Sequence, residues 1–138
     1  MDVVNLFDEY HFKKRGIIII EGELDRHDKR ITLKTSKIKA DGGFSDKDLG
    51  DIYNDLVDKK IRLEERLIEY QSFVLLIEDA MISLKEDNPI EYEAVKMRHI
   101  EHHGVFQIMT KLHFGRTQCW RVIKSGEKKL IRLIDIVK

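Results

Sequence analysis

Between Leu49 and Leu84 the apolar residues advance along the chain in steps of three and four. Leu49, Ile52, Leu56, Leu63, Leu67, Tyr70, Val74, Ile77, Met81 and Leu84 are separated by 3, 4, 7, 4, 3, 4, 3, 4 and 3 positions. A strand alternates every second residue, so this spacing excludes one and puts all ten side chains on one stripe of an α-helix. At the α-helical rise the stripe is about 50 Å long. Phe73–Ile77 is apolar nearly all round, which predicts cover on more than one side at that end. Lys85-Glu86-Asp87-Asn88-Pro89 ends the element, with Asn88 suited to cap the next helix and Pro89 to begin it.

A weaker stripe precedes it. Leu6, Tyr10, Ile17, Ile20, Leu24 and Ile31 are spaced 4, 7, 3, 4 and 7, with Lys13 and His27 at the missing seam positions. A helix over about Val3–Ile31 is expected. The β-branched run Ile17–Ile20 could be read as a strand, but no comparable segment exists to pair with it. Thr32–Asp46, with Lys34, Lys37, Lys39 and Gly42–Gly43, has no clear period and reads as a mobile loop. Ser45, followed by Asp48, reads as the cap of the second helix. Two heptad helices joined by such a loop suit an antiparallel hairpin or a dimeric coiled coil. The single proline among 138 residues fits an all-helical chain.

Formal charge is zero, but it is unevenly spread. Residues 1–88 hold 15 Lys/Arg and 20 Asp/Glu, and residues 89–138 hold 10 and 5. Gly115–Leu133 has six Lys/Arg against one Glu. A basic working end on an acidic support is the natural reading. The one cysteine, Cys119, cannot close a disulfide within the chain and is read as a small core residue. A reducing cytoplasm is the expected location. Neither a signal peptide nor a membrane span is visible in the sequence.

The basic end contains three helical pieces. Ile90–His102 is expected to bury Ile90, Ala94 and Met97, with Val95 and Ile100 as further candidates, and to stop at Gly104. Val105–Leu112 is a short helix with Phe106, Ile108, Met109 and Leu112 apolar. His113-Phe114-Gly115 is a turn, and Arg116 starts a helix that can run to Val137. A short helix, a three-residue turn and a basic helix form a helix-turn-helix. In this register Ile108, Met109, Phe114, Cys119, Val122 or Ile123, Gly126 and Leu130 face inward. Arg116, Thr117, Gln118, Trp120, Arg121, Lys124 and Lys128 form the outer face and are the candidate DNA-binding residues. Arg and Gln near the helix start suit guanine and adenine edges, and Lys124 and Lys128 suit phosphates. Trp120 either covers the hydrophobic edge of the domain or contacts sugar or a thymine methyl.

The stretch Tyr92 through Ile100, then Phe106-Gln107-Ile108-Met109, Leu112-His113-Phe114-Gly115, and Cys119-Trp120-Arg121 to Leu130 resembles region 4 of bacterial sigma factors. More closely it is similar to the RinA and ArpU type of late-gene transcription regulators of phages from Gram-positive bacteria. The Lys/Gly segment Thr32–Asp46 also resembles the RinA type. Met109 stands where that pattern has a small Ala, and Gly115 where it has a Ser or Thr cap. The resemblance implies a phage or prophage late-gene activator that binds duplex DNA, with RNA polymerase as a second partner.

No phosphate loop, His-Glu-x-x-His motif or nucleophile elbow occurs, so no enzyme activity, metal or cofactor is expected. His99 and His103, four apart, could share a zinc ion, but no third ligand stands near; surface or phosphate-facing histidines are the better reading. The expected fold is therefore all-α: a long antiparallel helical hairpin (coiled coil), residues 1–88, followed by a three-helix helix-turn-helix module, residues 89–138. The hairpin would supply a homodimer contact through the N-terminal helices, or a polymerase contact. Two other functions fit the same layout: a phage DNA-packaging protein similar to a small terminase subunit, and a helical protein–protein adaptor.

Overall fold

A computed structural model describes residues 2–41 and 46–137, with the side chains at 35, 37–41 and 46–49 outside the description. Helices make up nearly all of it: α1 (Val3–Asp41), α2 (Asp46–Asp87), α3 (Pro89–Val95), α4 (Val105–Leu112) and α5 (Arg116–Asp135). No strand occurs among the described residues. α3 passes directly into a π-helical turn, Lys96–Ile100, closed by a hydrogen bond from Glu101 N–H to Lys96 O at 3.0 Å.

α1 is longer than the heptad alone predicted. Thr32–Asp41, expected as a loop, is helical. Thr, Lys, Ser, Ile and Ala carry no backbone barrier to a helix, and the Thr32 hydroxyl is absorbed by the Asp28 carbonyl at 3.1 Å. Loss of amphipathic period removed the signal but not the helix. The Ser45 cap lies outside the described residues.

The chain forms two compact units, residues 13–72 and residues 1–12 with 73–138. In the first, the helices pair in opposite order along the chain. Gly16 lies against the Tyr70 ring, His27 Nε2 donates to the Leu56 carbonyl at 2.6 Å, and Lys60 Nζ meets Asp28 at 3.0 Å. The seam irregularities foreseen at Lys13 and His27 are filled specifically. His27 is buried with its ring nitrogen satisfied, and the Lys13 ammonium stands 5.5 Å from the Tyr70 ring centroid. A Cβ on Gly16 would fall 2.7 Å from that ring, so glycine is what lets the tyrosine close on α1.

The second unit gathers its core from both ends of the sequence. Leu6, Phe7 and Tyr10 of α1, Val74, Ile77, Met81 and Leu84 of α2, and Leu130 and Ile134 of α5 are all buried. Tyr10 Oη donates to Glu78 at 3.1 Å, and Phe7 stacks on His99 with centroids 4.8 Å apart. Leu75 is exposed, so the cover expected around Phe73–Ile77 is incomplete.

Candidate nucleic-acid interface

α3 starts as its sequence dictates. The Asn88 side chain accepts from Glu91 N–H at 3.2 Å, and Pro89 supplies a first residue whose missing N–H is not needed. Ile90, however, is exposed, contrary to expectation, and Glu91 takes the inward position instead. Its carboxylate is buried because α5 brings partners to both oxygens. Ser125 Oγ donates to Oε1 at 2.7 Å, and Lys129 Nζ stands 3.0 Å from Oε2. This carboxylate, with desolvation opposing and Asp87 adding, holds the Lys129 ammonium above its ordinary range.

The break between α3 and α4 is also carried differently. His102 takes the left-handed conformation at φ 57, while Gly104 at φ −71 is the N-cap of α4. The Gly104 N–H donates to Gln107 Oε1 at 3.1 Å. A second histidine, His113, adopts φ 59 and ends α4, so the three-residue turn begins on a strained L-residue.

α4 and α5 close over a small core of Ala94, Met97, Ile108, Cys119 and Ile123, flanked by Val105, Met109, Leu112, Phe114 and Val122. Cys119, Ile123, Gly126, Leu130 and Ile134 are the buried residues of α5. At Gly126 the helix lies so close to α3 that a Cβ would meet Val95 Cγ2 at 2.7 Å and the Glu91 carbonyl oxygen at 3.1 Å. Burial pushes the Cys119 thiol up, with nearby Arg98 acting weakly the other way.

The opposite face of α5 carries the predicted residues. Arg116, Thr117, Gln118, Arg121, Lys124 and Lys128 are all exposed. Thr117, Arg121, Lys124 and Lys128 follow one another at 4, 3 and 4 positions, one row on one side of the helix. Three other polar residues of the helix are engaged elsewhere: Ser125 and Lys129 on Glu91, and Glu127 Oε1 accepting from His99 Nε2 at 2.8 Å. Trp120 is half-buried, with the Arg98 guanidinium 4.7 Å from its ring centroid. Arg98 is thus a neighbour of the row that the sequence pattern did not single out. It sits in the π-helical turn, where an extra residue per turn redirects side chains.

The N-terminus of α5 has no side-chain cap and no acidic residue in its first turn. Its first N–H groups and Arg116 therefore present positive potential at that end of the helix. The zinc reading of His99 and His103 finds no geometry: His99 is committed to Glu127 and Phe7, and no cluster of three or more His, Cys, Asp or Glu that could hold a metal occurs among the described residues. No helix is long and apolar enough to cross a membrane among the described residues. No family model, curated protein or solved structure matches the chain.

Proposed function

We propose that this chain is a sequence-specific duplex-DNA-binding regulator of transcription, in which α4, residues 113–115 and α5 act as a helix-turn-helix behind a helical hairpin of α1 and α2. The observation that carries the reading is the outward row Thr117, Arg121, Lys124 and Lys128, led by Arg116 and Gln118, on a helix whose other side is fully used in packing. α5 is 20 residues long, enough to lie in a major groove with its first turns against base edges. Arg116, Gln118 and Arg121 would read bases, and Lys124 and Lys128 would hold phosphates. Trp120, backed by Arg98, would lie along the sugar-phosphate edge. The similarity to RinA/ArpU regulators and to sigma region 4 extends the proposal to a phage or prophage late-gene activator that also contacts RNA polymerase.

The test is binding to fragments of the source genome across a salt series, for wild type and Arg116→Ala/Arg121→Ala. Wild type should select one region in the presence of bulk competitor. The variant should lose that selection, since each base contact is worth roughly 1–3 kcal/mol, or about tenfold or more in affinity. Lys124→Ala should weaken all fragments alike and reduce the salt slope by about one. A folded wild type that selects no fragment would overturn the reading.

A further inference from the structure

α2 carries a second aliphatic stripe on the side away from its core. Ile61, Ile68, Leu75 and Ile82 follow one another at intervals of seven positions and are 46%, 63%, 56% and 55% exposed. All four belong to one continuous helix, so helix geometry alone sets them in line, over about 32 Å. Single exposed aliphatics are ordinary, but four at a strict heptad interval are the mark of a coiled-coil seam. The inner stripe from Ile52 to Leu84 is buried or half-buried, so the outer one is a seam of its own. It also accounts for Phe73–Ile77, which is apolar nearly all round yet leaves Leu75 exposed.

The charge beside the outer seam says what can cover it. Positions three and four away from its residues carry six carboxylates, Asp58, Glu64, Glu65, Glu78, Asp79 and Glu86, and one cation, Lys85. Lys85 stands in the last turn of the helix, its Nζ 5.5 Å from the Tyr92 ring centroid. The other charged residues between Asp58 and Glu86 are Lys59, Lys60, Arg62, Arg66 and Glu69. Each is one or two positions from a seam residue and so lies round the sides and back of the helix, where Lys60 meets Asp28 of α1 at 3.0 Å.

Such a face repels nucleic-acid phosphates, and it repels its own copy. Antiparallel pairing of α2 with α2, Ile68 opposite Leu75, would set Glu64 against Asp79 and Glu65 against Glu78, with only Lys85 near Asp58 in relief. Parallel pairing would set each carboxylate against its twin. We propose that this face of α2 docks an amphipathic helix of a different protein, with aliphatic residues at heptad spacing and Lys or Arg on both flanks. The four aliphatics hold the partner helix, and the flanking carboxylates select it by charge. A strict seven-residue interval drifts by about 20° per heptad on a straight helix, so the partner wraps with a left-handed sense. The inference is independent of DNA binding, because none of these residues belongs to the α5 row.

The experiment is fluorescence anisotropy of the full chain with two labelled synthetic helices of about four heptads, both with Leu at the seam positions, one flanked by Lys and the other by Glu. Wild type should bind the Lys-flanked helix at least about tenfold more tightly than the Glu-flanked one. Ile68→Gln/Leu75→Gln should weaken that binding by about tenfold or more with unchanged helical circular dichroism, since both side chains already face water and the change is neutral. Glu65→Lys/Asp79→Lys should reverse the preference, so that the Glu-flanked helix binds better. That reversal separates docking on this face from general attraction of a cationic peptide. A wild type that binds neither helix or both alike, a glutamine variant that binds as well as wild type, or a lysine variant that keeps the wild-type preference would each overturn the proposal. So would self-association of wild type, measured by sedimentation equilibrium, that the glutamine variant abolishes, because a second copy would then be the occupant.

Discussion

Gly126 is where the position of α5 can be tested with one methyl group. Replacing glycine by alanine inside a helix is worth about 0.8–1.0 kcal/mol in backbone propensity. At Gly50 of α2 nothing lies within 4 Å of an added Cβ, so Gly50→Ala should realise that gain in full. At Gly126 the same methyl arrives 2.7 Å from Val95 Cγ2, 3.1 Å from the Glu91 carbonyl oxygen and 3.2 Å from Glu91 Cβ. Val95 is fully buried and the carbonyl is helix backbone, so neither can swing aside. Overpacking of this kind costs roughly 1–3 kcal/mol. Set against the propensity gain, Gly126→Ala should be neutral to destabilising by about 2 kcal/mol. Urea unfolding followed by Trp120 fluorescence reports this unit directly, and circular dichroism reports Gly50→Ala. Removing the methyl that is struck supplies the internal control. Val95→Ala alone should destabilise through its cavity, but Gly126→Ala made in that background should cost less than in wild type, a positive coupling in a double-mutant cycle. If Gly126→Ala stabilises as much as Gly50→Ala, α5 does not approach α3 as described, and the outward direction of Arg121 and Lys124 loses its basis.

Asn88→Ala should cost about 1 kcal/mol of stability by urea unfolding, because the Glu91 N–H loses its acceptor, and a cost near zero would mean the cap is not formed. Cys119 should resist alkylation in the folded protein and react fully in denaturant. Its thiol is raised by burial, so the folded state disfavours the thiolate. Stability should therefore hold below the ordinary thiol range near 9.0 and fall as the pH rises through it; rapid native labelling at neutral pH would contradict the burial.

The sequence disclosed the helices wherever burial is periodic and failed where it is not. The α2 stripe could be read because its apolar residues from Ile52 to Leu84 are all buried or half-buried on one side of the helix. Thr32–Asp41 could not, because a helix without a steady apolar side leaves no period to detect, and its Thr and Lys residues look like loop residues. Ile90 is exposed for a related reason. A hydrophobic residue beside a proline start looks like a core position, but the inward slot belongs to Glu91, and a buried carboxylate is tolerable only because Ser125 and Lys129 reach it from 34 and 38 residues away. Gly104 reads as a helix stop, although the left-handed residue is His102. Glycine is the usual residue there, and histidine is one of the few others that accept it.

The α5 row was legible for the opposite reason. Its inward residues, Cys119, Ile123, Gly126 and Leu130, are small or apolar and regularly spaced, so the outward set follows by geometry. What the spacing does not carry is the arrangement that supports the row. Arg98 reaches Trp120, and His99 reaches Glu127, only because α3 widens into a π-helical turn that lets Met97 and His99 both point inward. That turn places an arginine from one helix beside the tryptophan of another, extending positive charge past the edge of α5. A regular α-helix through Lys96–Ile100 would rotate Arg98 away from Trp120. The basic surface then depends on a backbone irregularity as well as on Arg116, Arg121, Lys124 and Lys128 of α5, and sequence periodicity, which assumes a regular helix, is blind to it.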